Sequence, residues 1–406
     1  MKNILIAQSG GPTAVINTSL AGILDAAFAS DEVGEVYGGI HGIQGITEGN
    51  IISLTDRFKG NDEKLKKLYH TPDMYLRTCR YKLKNPDEDS SDYDKIIETF
   101  KKYDIDIFLY IGGNDSMDTV ARMSEYVKNH GMDTKVVGVP KTVDNDLVEI
   151  DHTPGFGSAA KYVATTVREI MLDTCIYPYD NVAIVEIMGR DAGWLTAAAA
   201  LAAPEGSSVR PFVYLPEKPF DDDEFIERIN KTLKAHGYAV AAVSEGIRDK
   251  DGKYISASES KLDKFGHPQL SGTGSVLAGL VKEKIGCKVR GVELSVAQRS
   301  AGHCASAVDL EESFRLGQNA CMYALEGQTG VMACLKRVSG SVYRQEYFPA
   351  DVSEIANKVK GVPEEWIDTE NAFVTRDMID YLTPLIQGET KLLYKNGLPD
   401  YLFEEF

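Results

Sequence analysis

One recurring unit constrains this chain most. A short, continuous run of β-branched and small apolar residues stops at Gly or Pro and opens into a helical pattern. It occurs at Asn3–Ala7 before Ser9-Gly10-Gly11, at Ile105–Ile111 before Gly112-Gly113 and at Val136–Val139 before Pro140. It recurs at Asn181–Ile187 before Met188-Gly189 and at Ala239–Val243 before Ser244-Glu245-Gly246. Runs that stay apolar, rather than alternating, suit parallel strands buried on both faces. Alternation of such strands with helices predicts an α/β fold assembled from right-handed βαβ units. The chain has 406 residues, and at ~150 residues per domain that length suggests two or three domains.

Other segments refine this picture. With Asp115 or Ser116 as N-cap, Met117, Val120, Ala121 and Val127 line one face of a helix that Gly131 ends. The helix N-terminus then opens directly at the Gly112–Ser116 turn. Asp56–Asp94 and Lys250–Gln269 are polar and charge-rich, and predict surface excursions. From Gly330 the tail predicts a strand pair, Val331–Arg337 and Ser341–Tyr347, followed by helices. Ala192–Ala203, broken by Thr196, is shorter than the ~18–20 residues a spanning helix needs, and predicts a buried helix. The apolar run Ile4–Ala7 is too short for the core of a signal peptide.

Charge and composition exclude several function classes. Lys and Arg number 44 against 61 Asp and Glu, a net charge of −17. That balance argues against general nucleic-acid binding, which needs cations to displace phosphate counterions, and against anionic membranes. It says nothing about a local pocket. None of the six cysteines stand as CxxC, which predicts thiols in a reducing cytoplasm. The seven histidines form no HxH or HExxH pattern, so no zinc site is expected.

Four motifs carry chemistry. Gln8-Ser9-Gly10-Gly11-Pro12-Thr13 follows the first strand, where glycines let backbone N–H groups approach a phosphate; it is equally a tight strand-to-helix turn. Ile111-Gly112-Gly113-Asn114-Asp115-Ser116 again ends a strand in two glycines, with a spacing that is neither Walker A nor GxGxxG. Asp115 and Ser116 are capping residues or ligand contacts. An acid at a phosphate site implies a metal or a nearby Lys. Pro140-Lys141-Thr142-Val143-Asp144-Asn145-Asp146 is the most informative, with two carboxylates beside a Lys and a Thr. Phosphoryl transfer to a hydroxyl uses one carboxylate for the alcohol proton, another for a metal and cations for the phosphoryl oxygens. A polar turn with Asx hydrogen bonds is the alternative. Glu186-Ile187-Met188-Gly189-Arg190 places an Arg at a strand end, where bidentate contacts to a phosphoryl group are available. Gly155-Phe156-Gly157-Ser158-Ala159-Ala160 imitates GxGxxA but follows no clear strand.

Together with Ser244-Glu245-Gly246 and Gln298-Arg299, these motifs resemble the phosphofructokinase family in order and spacing over nearly the whole chain. The resemblance implies two similar Rossmann-like three-layer α/β domains with mostly parallel sheets and the active site in the cleft between them. It implies a phosphoryl-donor domain from 1–154 plus about 299–350. The sugar-phosphate domain would then be 155–298 plus about 351–406. Asp144 would be the general base toward the sugar's 1-hydroxyl, Asp146 and Asn114 would serve Mg²⁺, and Thr142 would touch the transferred group. Arg190 and Arg80 would neutralise transition-state charge. Gly10, Gly11, Gly113, Asn114, Asp115, Ser116 and Lys141 would line the donor side. Met188, Gly189, Glu245 and Arg299 would bind the sugar phosphate, and Arg290 would reach a neighbouring subunit's site in a homodimer or homotetramer.

Two positions bear on the donor. ATP-using members usually carry Gly where this chain has Asp115 and Lys141. A carboxylate at Asp115 crowds and repels a nucleotide's α-phosphate, whereas an ammonium at Lys141 pairs with the end of a shorter donor. Pyrophosphate fits, with fructose 6-phosphate as acceptor and a reaction close to reversible. The chain departs from the family's usual pattern at Asn114 (Asp in many members), Asn181 (Arg) and Val296 (His or Tyr). The neutral amide at Asn114 shifts Mg²⁺ toward Asp146, pyrophosphate oxygens and water, and the departures at Asn181 and Val296 leave sedoheptulose 7-phosphate open as a second substrate. An ATP-dependent member, a non-catalytic regulatory subunit of the same fold and a nicotinamide dehydrogenase are the alternatives.

Overall fold

The computed structural model describes residues 1–79, 81–204, 207–256, 270, 272–340 and 342–405. Arg80, residues 257–269 of one expected excursion, and Ser341 of the tail strand pair lie outside the described residues. The strands of the two main sheets are, in chain order, β1 (Lys2–Gln8), β2 (Val33–Gly39), β3 (Ile51–Ser53), β4 (Ile105–Gly112), β5 (Lys135–Pro140), β6 (Asn181–Ile187), β7 (Phe212–Tyr214), β8 (Tyr238–Ser244), β9 (Lys288–Glu293), β10 (Val331–Arg337) and β11 (Gln345–Asp351). Each predicted apolar run is a strand. The chain divides into a first unit, Met1–Ser158, Arg299–Val359 and Gly388–Phe406, and a second, Ala159–Gln298 and Lys360–Gln387.

The first unit holds a seven-stranded sheet in the order β11-β10-β5-β4-β1-β2-β3. It is parallel except at its edges, where β3 runs against β2 and β11 against β10. Four successive residues of β1, Ile4 to Ala7, are fully buried, as are Ile107, Phe108, Leu109 and Ile111 of β4. Burial of consecutive residues means that both faces are covered. The helices Ile16–Ala29 and Ala307–Leu325 pack backbone to backbone through glycines. A Cβ on Gly22 would lie 2.0 Å from the Phe314 carbonyl oxygen, and one on Gly317 2.1 Å from that of Ser19. From β1 the chain proceeds to β2 on one side, then returns to β4 on the other. The gap between β1 and β4 is therefore the topological switch point, where open α/β sheets bind ligands.

The second unit holds a smaller, wholly parallel sheet, β7-β8-β6-β9. β6 is buried along its length, whereas β9 is a largely exposed edge. Phe225, Ile229 and Leu233 of the helix Asp222–His236 pack on this sheet. Lys360–Gln387 adds Trp366 and Tyr381, whose rings lie 6.1 and 5.2 Å from that of Trp194.

Several expectations are corrected. The tail from 351 does not belong wholly to the second unit: Asp351–Val359 and Gly388–Phe406 group with the first. Asp56–Asp94 is no mere surface excursion. It contains the helix Asp62–His70 and sends Phe58, Leu68, Leu76, Leu83 and Tyr93 into the core, so its charges are the outer face of an amphipathic layer. Ala192–Ala203 is buried but forms one α-helical turn, Trp194–Ala197, followed by a 3₁₀ helix, Ala198–Ala202. The tail hairpin pairs β10 with β11, whose first residue is Gln345. No helix among the described residues is long and apolar enough to cross a membrane, and all six cysteines are thiols.

Candidate active site

In the first unit three strand ends converge at the switch point. After β1 the chain turns at Gly10, whose φ of +78° lies in the left-handed region that favours glycine. A Cβ here would also sit 3.0 Å from Lys141 Nζ. Ser9 N–H donates to the Ile111 carbonyl at 2.9 Å, and the hydroxyls of Ser9 and Ser116 share a short hydrogen bond. The turns after β1 and β4 are thereby stitched together.

After β4, the helix Asn114–Asn129 begins. Its N-cap is Gly113, which makes no side-chain cap bond, and not Asp115 or Ser116. Those two residues fall inside the first turn, and the Ser116 hydroxyl bonds that of Ser9. Asp115 lies at the positive end of the helix dipole, and Lys82 Nζ is 3.3 Å from its Oδ1. Lys82 is the nearby cation that an acid at this position demands, and sequence reasoning missed it. Asn114, expected to serve the metal, makes two backbone contacts. Its Oδ1 accepts from Asn357 N–H at 2.6 Å and its Nδ2 donates to the Lys358 carbonyl at 2.5 Å. Both ends of the Asn114 amide are thus engaged by backbone.

After β5, Lys141 is 3% exposed and donates from Nζ to the Gly11 carbonyl at 2.6 Å. Burial is the main force on its pKa and lowers it to about 8. Asp144 opposes that shift, Arg299 reinforces it and Asp146 opposes it. The four side chains therefore feel one another. Asp144 N–H donates to Thr142 Oγ1 at 3.1 Å. Buried Asn145 takes a left-handed φ of +55° and accepts from Thr153 N–H at 3.1 Å, which folds the loop back on itself. Arg299 also belongs here: a Cβ on Gly11 would meet its Nη1 at 3.1 Å. This residue, assigned from the resemblance to the sugar phosphate, sits against the donor-side turn within the first unit.

In the second unit, considered by itself, the ends of β6 and β8 carry the expected sugar-phosphate residues Met188, Gly189 and Glu245. Gly189 has a φ of +125°, its N–H points to Glu245 Oε1 at 3.4 Å and its carbonyl accepts from Ser244 Oγ at 2.5 Å. Met188 N–H donates to Gln298 Oε1 at 3.2 Å. Gly246 cannot carry a side chain, because its Cβ would lie 1.7 Å from the Arg190 carbonyl oxygen. Arg190 Nε is buried without a hydrogen-bond partner among the described residues, a donor available to a ligand. Glu186 is held by the N–H groups of Gly272 and Gly274, at 3.2 and 2.7 Å; burial raises its pKa.

The remaining positions singled out in the sequence have the following settings. Arg290 pairs with Ala183 within β9 and bridges Asp173 at 2.8 Å with both side chains about half exposed. Asn181 begins β6, at the end opposite Met188, and donates to the Thr174 carbonyl at 3.0 Å. Val296 is exposed. Gly155–Ala160 opens the helix Phe156–Thr174 after a loop, not after a strand.

Strand-end glycine turns lie at a switch point, two carboxylates share one loop with a buried cation, and the sequence pattern described as Phosphofructokinase matches residues 3–324. The chain belongs to the phosphofructokinase family. This membership supersedes the dehydrogenase reading of its glycine turns. The chain is 40% identical, over 411 residues, to a "Pyrophosphate--fructose 6-phosphate 1-phosphotransferase" of Methylococcus capsulatus, covering 99% of this chain and 95% of the relative. A protein of the same name from Xanthomonas campestris is also 40% identical, with 98% and 95% covered. Among solved structures, the pyrophosphate-dependent phosphofructokinase of Nitrosospira multiformis superposes with a TM-score of 0.89 at 37% identity, covering 99% of this chain and 96% of that one. Such phosphofructokinase relatives share the two-domain α/β architecture with mostly parallel sheets.

Proposed function

We propose that this phosphofructokinase-family chain transfers a phosphoryl group from pyrophosphate to the 1-hydroxyl of fructose 6-phosphate, reversibly, giving fructose 1,6-bisphosphate and phosphate. One observation supports the donor assignment: the Asp115 carboxylate pairs with Lys82, and Lys141 is buried against the Gly11 carbonyl. By the family resemblance, Asp115 would stand where a nucleotide's α-phosphate needs room. A donor of two phosphates retains the reacting anhydride and avoids Asp115.

In the forward direction the 1-hydroxyl loses its proton to Asp144, and its oxygen bonds to the terminal phosphorus. The bridging P–O bond breaks, and its electron pair leaves with phosphate. Thr142, Lys141 and Arg190 orient and neutralise the phosphoryl oxygens. Met188, Gly189 and Glu245 hold the sugar phosphate. Arg299 neutralises charge beside Gly11, and Arg290 completes a neighbouring subunit's site in a homodimer or homotetramer. Gly113 and Ser116 shape the donor turn, and Arg80 adds a further cation.

The donor set fits Mg²⁺, because Asp144 and Asp146 are hard oxygen ligands in one loop. Among the described residues no three His, Cys, Asp or Glu side chains group as a metal cage. Asp146 would therefore hold the ion with pyrophosphate oxygens and water. Bound there, it supplies neutralisation of the donor's charge. The site of action is the cytoplasm, in keeping with six thiols.

Purified protein assayed with fructose 6-phosphate and either donor provides the test. Turnover with pyrophosphate is expected, and activity with ATP alone overturns the donor assignment.

A further inference from the structure

Within the first unit, the loop that follows β5 doubles back on itself, and three hydrogen bonds join its two limbs. Thr153 makes two of them. Its Oγ1 donates to the Thr142 carbonyl at 2.7 Å, and its N–H donates to Asn145 Oδ1 at 3.1 Å. The third runs the other way, from Thr142 N–H to the Pro154 carbonyl at 3.3 Å. Thr153 and Asn145 are both 0% exposed, so water does not stand in for a lost partner.

Burial alternates along the outgoing limb. Lys141, Val143, Asn145 and Leu147 are buried, whereas Thr142, Asp144 and Asp146 are half-buried. Asn145, in a left-handed turn at φ +55°, is therefore the inward anchor between the two carboxylates. The returning limb holds the fixings. Pro154 sets its own φ and disfavours helical backbone at Thr153. His152 is bridged to Glu312 at 2.7 Å and Gly155 N–H donates to Asp309 at 3.0 Å, both acids of the helix Ala307–Leu325. Gly155 also lies against the first glycine turn, since a Cβ there would meet Thr13 Cγ2 at 2.6 Å.

We propose that Thr153, which lies outside every motif read from the sequence, is a positioning residue for the phosphoryl transfer: it carries the rigidity of the returning limb to Asp144 and Asp146. The path is short. Thr153 holds the Thr142 carbonyl, Thr142 Oγ1 accepts from Asp144 N–H at 3.1 Å, and Asn145 fixes the peptides that join the two carboxylates. The inference rests on the reading of Asp144 as the base and Asp146 as the metal ligand, and adds the brace that aligns them.

The test uses full-length Thr153→Val and Thr153→Ser. The first keeps the backbone N–H and the side-chain shape but loses the Oγ1 donor, and the second keeps the donor. Amide hydrogen exchange, read without substrate, is expected to quicken at Thr142 and Asp144 in Thr153→Val and to match the parent in Thr153→Ser. Exchange unchanged in Thr153→Val overturns the brace. In steady-state assays with pyrophosphate and fructose 6-phosphate, Thr153→Val is expected to lower kcat about tenfold to a hundredfold with both KM values within about twofold, because the binding groups remain while the reacting atoms are misaligned. Thr153→Ser is expected to recover most of that loss. An unchanged kcat in Thr153→Val, an equal fall in both variants, or a loss confined to KM overturns the positioning role. Should Thr153→Val not fold, Asn145→Gly removes the acceptor of the Thr153 N–H while keeping the left-handed backbone, and the same outcomes decide. Wild-type protein that uses ATP but not pyrophosphate refutes the donor reading alone, and the variants are then compared with ATP. Wild-type protein inactive with either donor refutes the proposed function itself, a failure read before any variant is made.

Discussion

Asp144 shares its loop with Thr142, to whose Oγ1 its own N–H donates at 3.1 Å, and with Lys141, whose ammonium it stabilises against burial. Under the proposed function this carboxylate, beside a cation and a hydroxyl, takes the proton of the attacking alcohol. Asp144→Asn removes the base while keeping size and hydrogen-bonding reach. Steady-state kinetics should show kcat lower by roughly 10²–10⁴-fold, with fructose 6-phosphate binding, measured by calorimetry, largely kept. A variant of near-normal rate removes Asp144 from the base role. The types and spacing of Lys141, Thr142, Asp144 and Asp146 were legible in the sequence because one loop carries them all. Lys82 as the partner of Asp115, and Asn114 as a backbone clamp, were not, because both contacts join residues far apart in the chain.

At the scale of elements, the loop between β5 and the helix Phe156–Thr174 owes its shape to buried polar contacts. Asp309, from the helix Ala307–Leu325, accepts from the N–H groups of Gly155 at 3.0 Å and Ser158 at 2.8 Å, capping the helix from outside. Next to this, His152 bridges Asp151 and Glu312, at 2.7 Å each, while Tyr343 donates to Glu312 and Arg337 to Asp151. Burial works against the His152 proton, but the charge of Glu312 and the hydrogen bonds to Asp151 and Glu312 outweigh it and raise the pKa from 6.5 to about 9. A raised folded-state pKa stabilises fully below the unfolded value and ceases to do so as pH rises through the folded one. The melting-temperature advantage of the parent over His152→Gln should therefore be complete near pH 6 and fade as pH passes about 9. An advantage that grows with pH would show that His152 is neutral in the folded protein. The strands and the helix after Gly113 were legible from periodicity. This network was not, since it draws on a loop, a helix and a hairpin with no shared pattern.

Over the whole molecule, the chain changes unit four times, at 158/159, 298/299, 359/360 and 387/388. Its last segment closes on the first unit. Glu404 pairs with Arg57 at 2.5 Å and with Lys64, accepts from Tyr75 at 2.5 Å, and its carbonyl accepts from Arg77 at 2.9 Å. Burial raises the Glu404 pKa, but Lys64, Tyr75 and Arg57 bring the balance below its ordinary value. Its contribution is thus present above the ordinary carboxylate range and lost as pH falls through the lowered one. Glu404→Ala should cost about 1–3 kcal/mol at neutral pH, and denaturant titrations of parent and variant should converge in acid. A gap that persists in acid would assign the loss to packing. The net charge of −17 coexists with a local concentration of cations: Lys141 and Arg299 are gathered at the Gly10-Gly11 turn. Arg290, in the second unit, bridges Asp173.

The sequence by itself determined the fold class, the buried strands, the glycine turns at their ends and the carboxylate-bearing loop, because each depends on residues adjacent in the chain. It also carried the family resemblance, because motif order survives in one dimension. Only the tertiary structure decided which distant groups meet: Lys82 with Asp115, Arg299 with Gly11, Asn114 with the peptide at 357–358, and the division of the tail between units. Those contacts depend on how the chain returns to the switch point of the first sheet, which local propensity and periodicity do not encode.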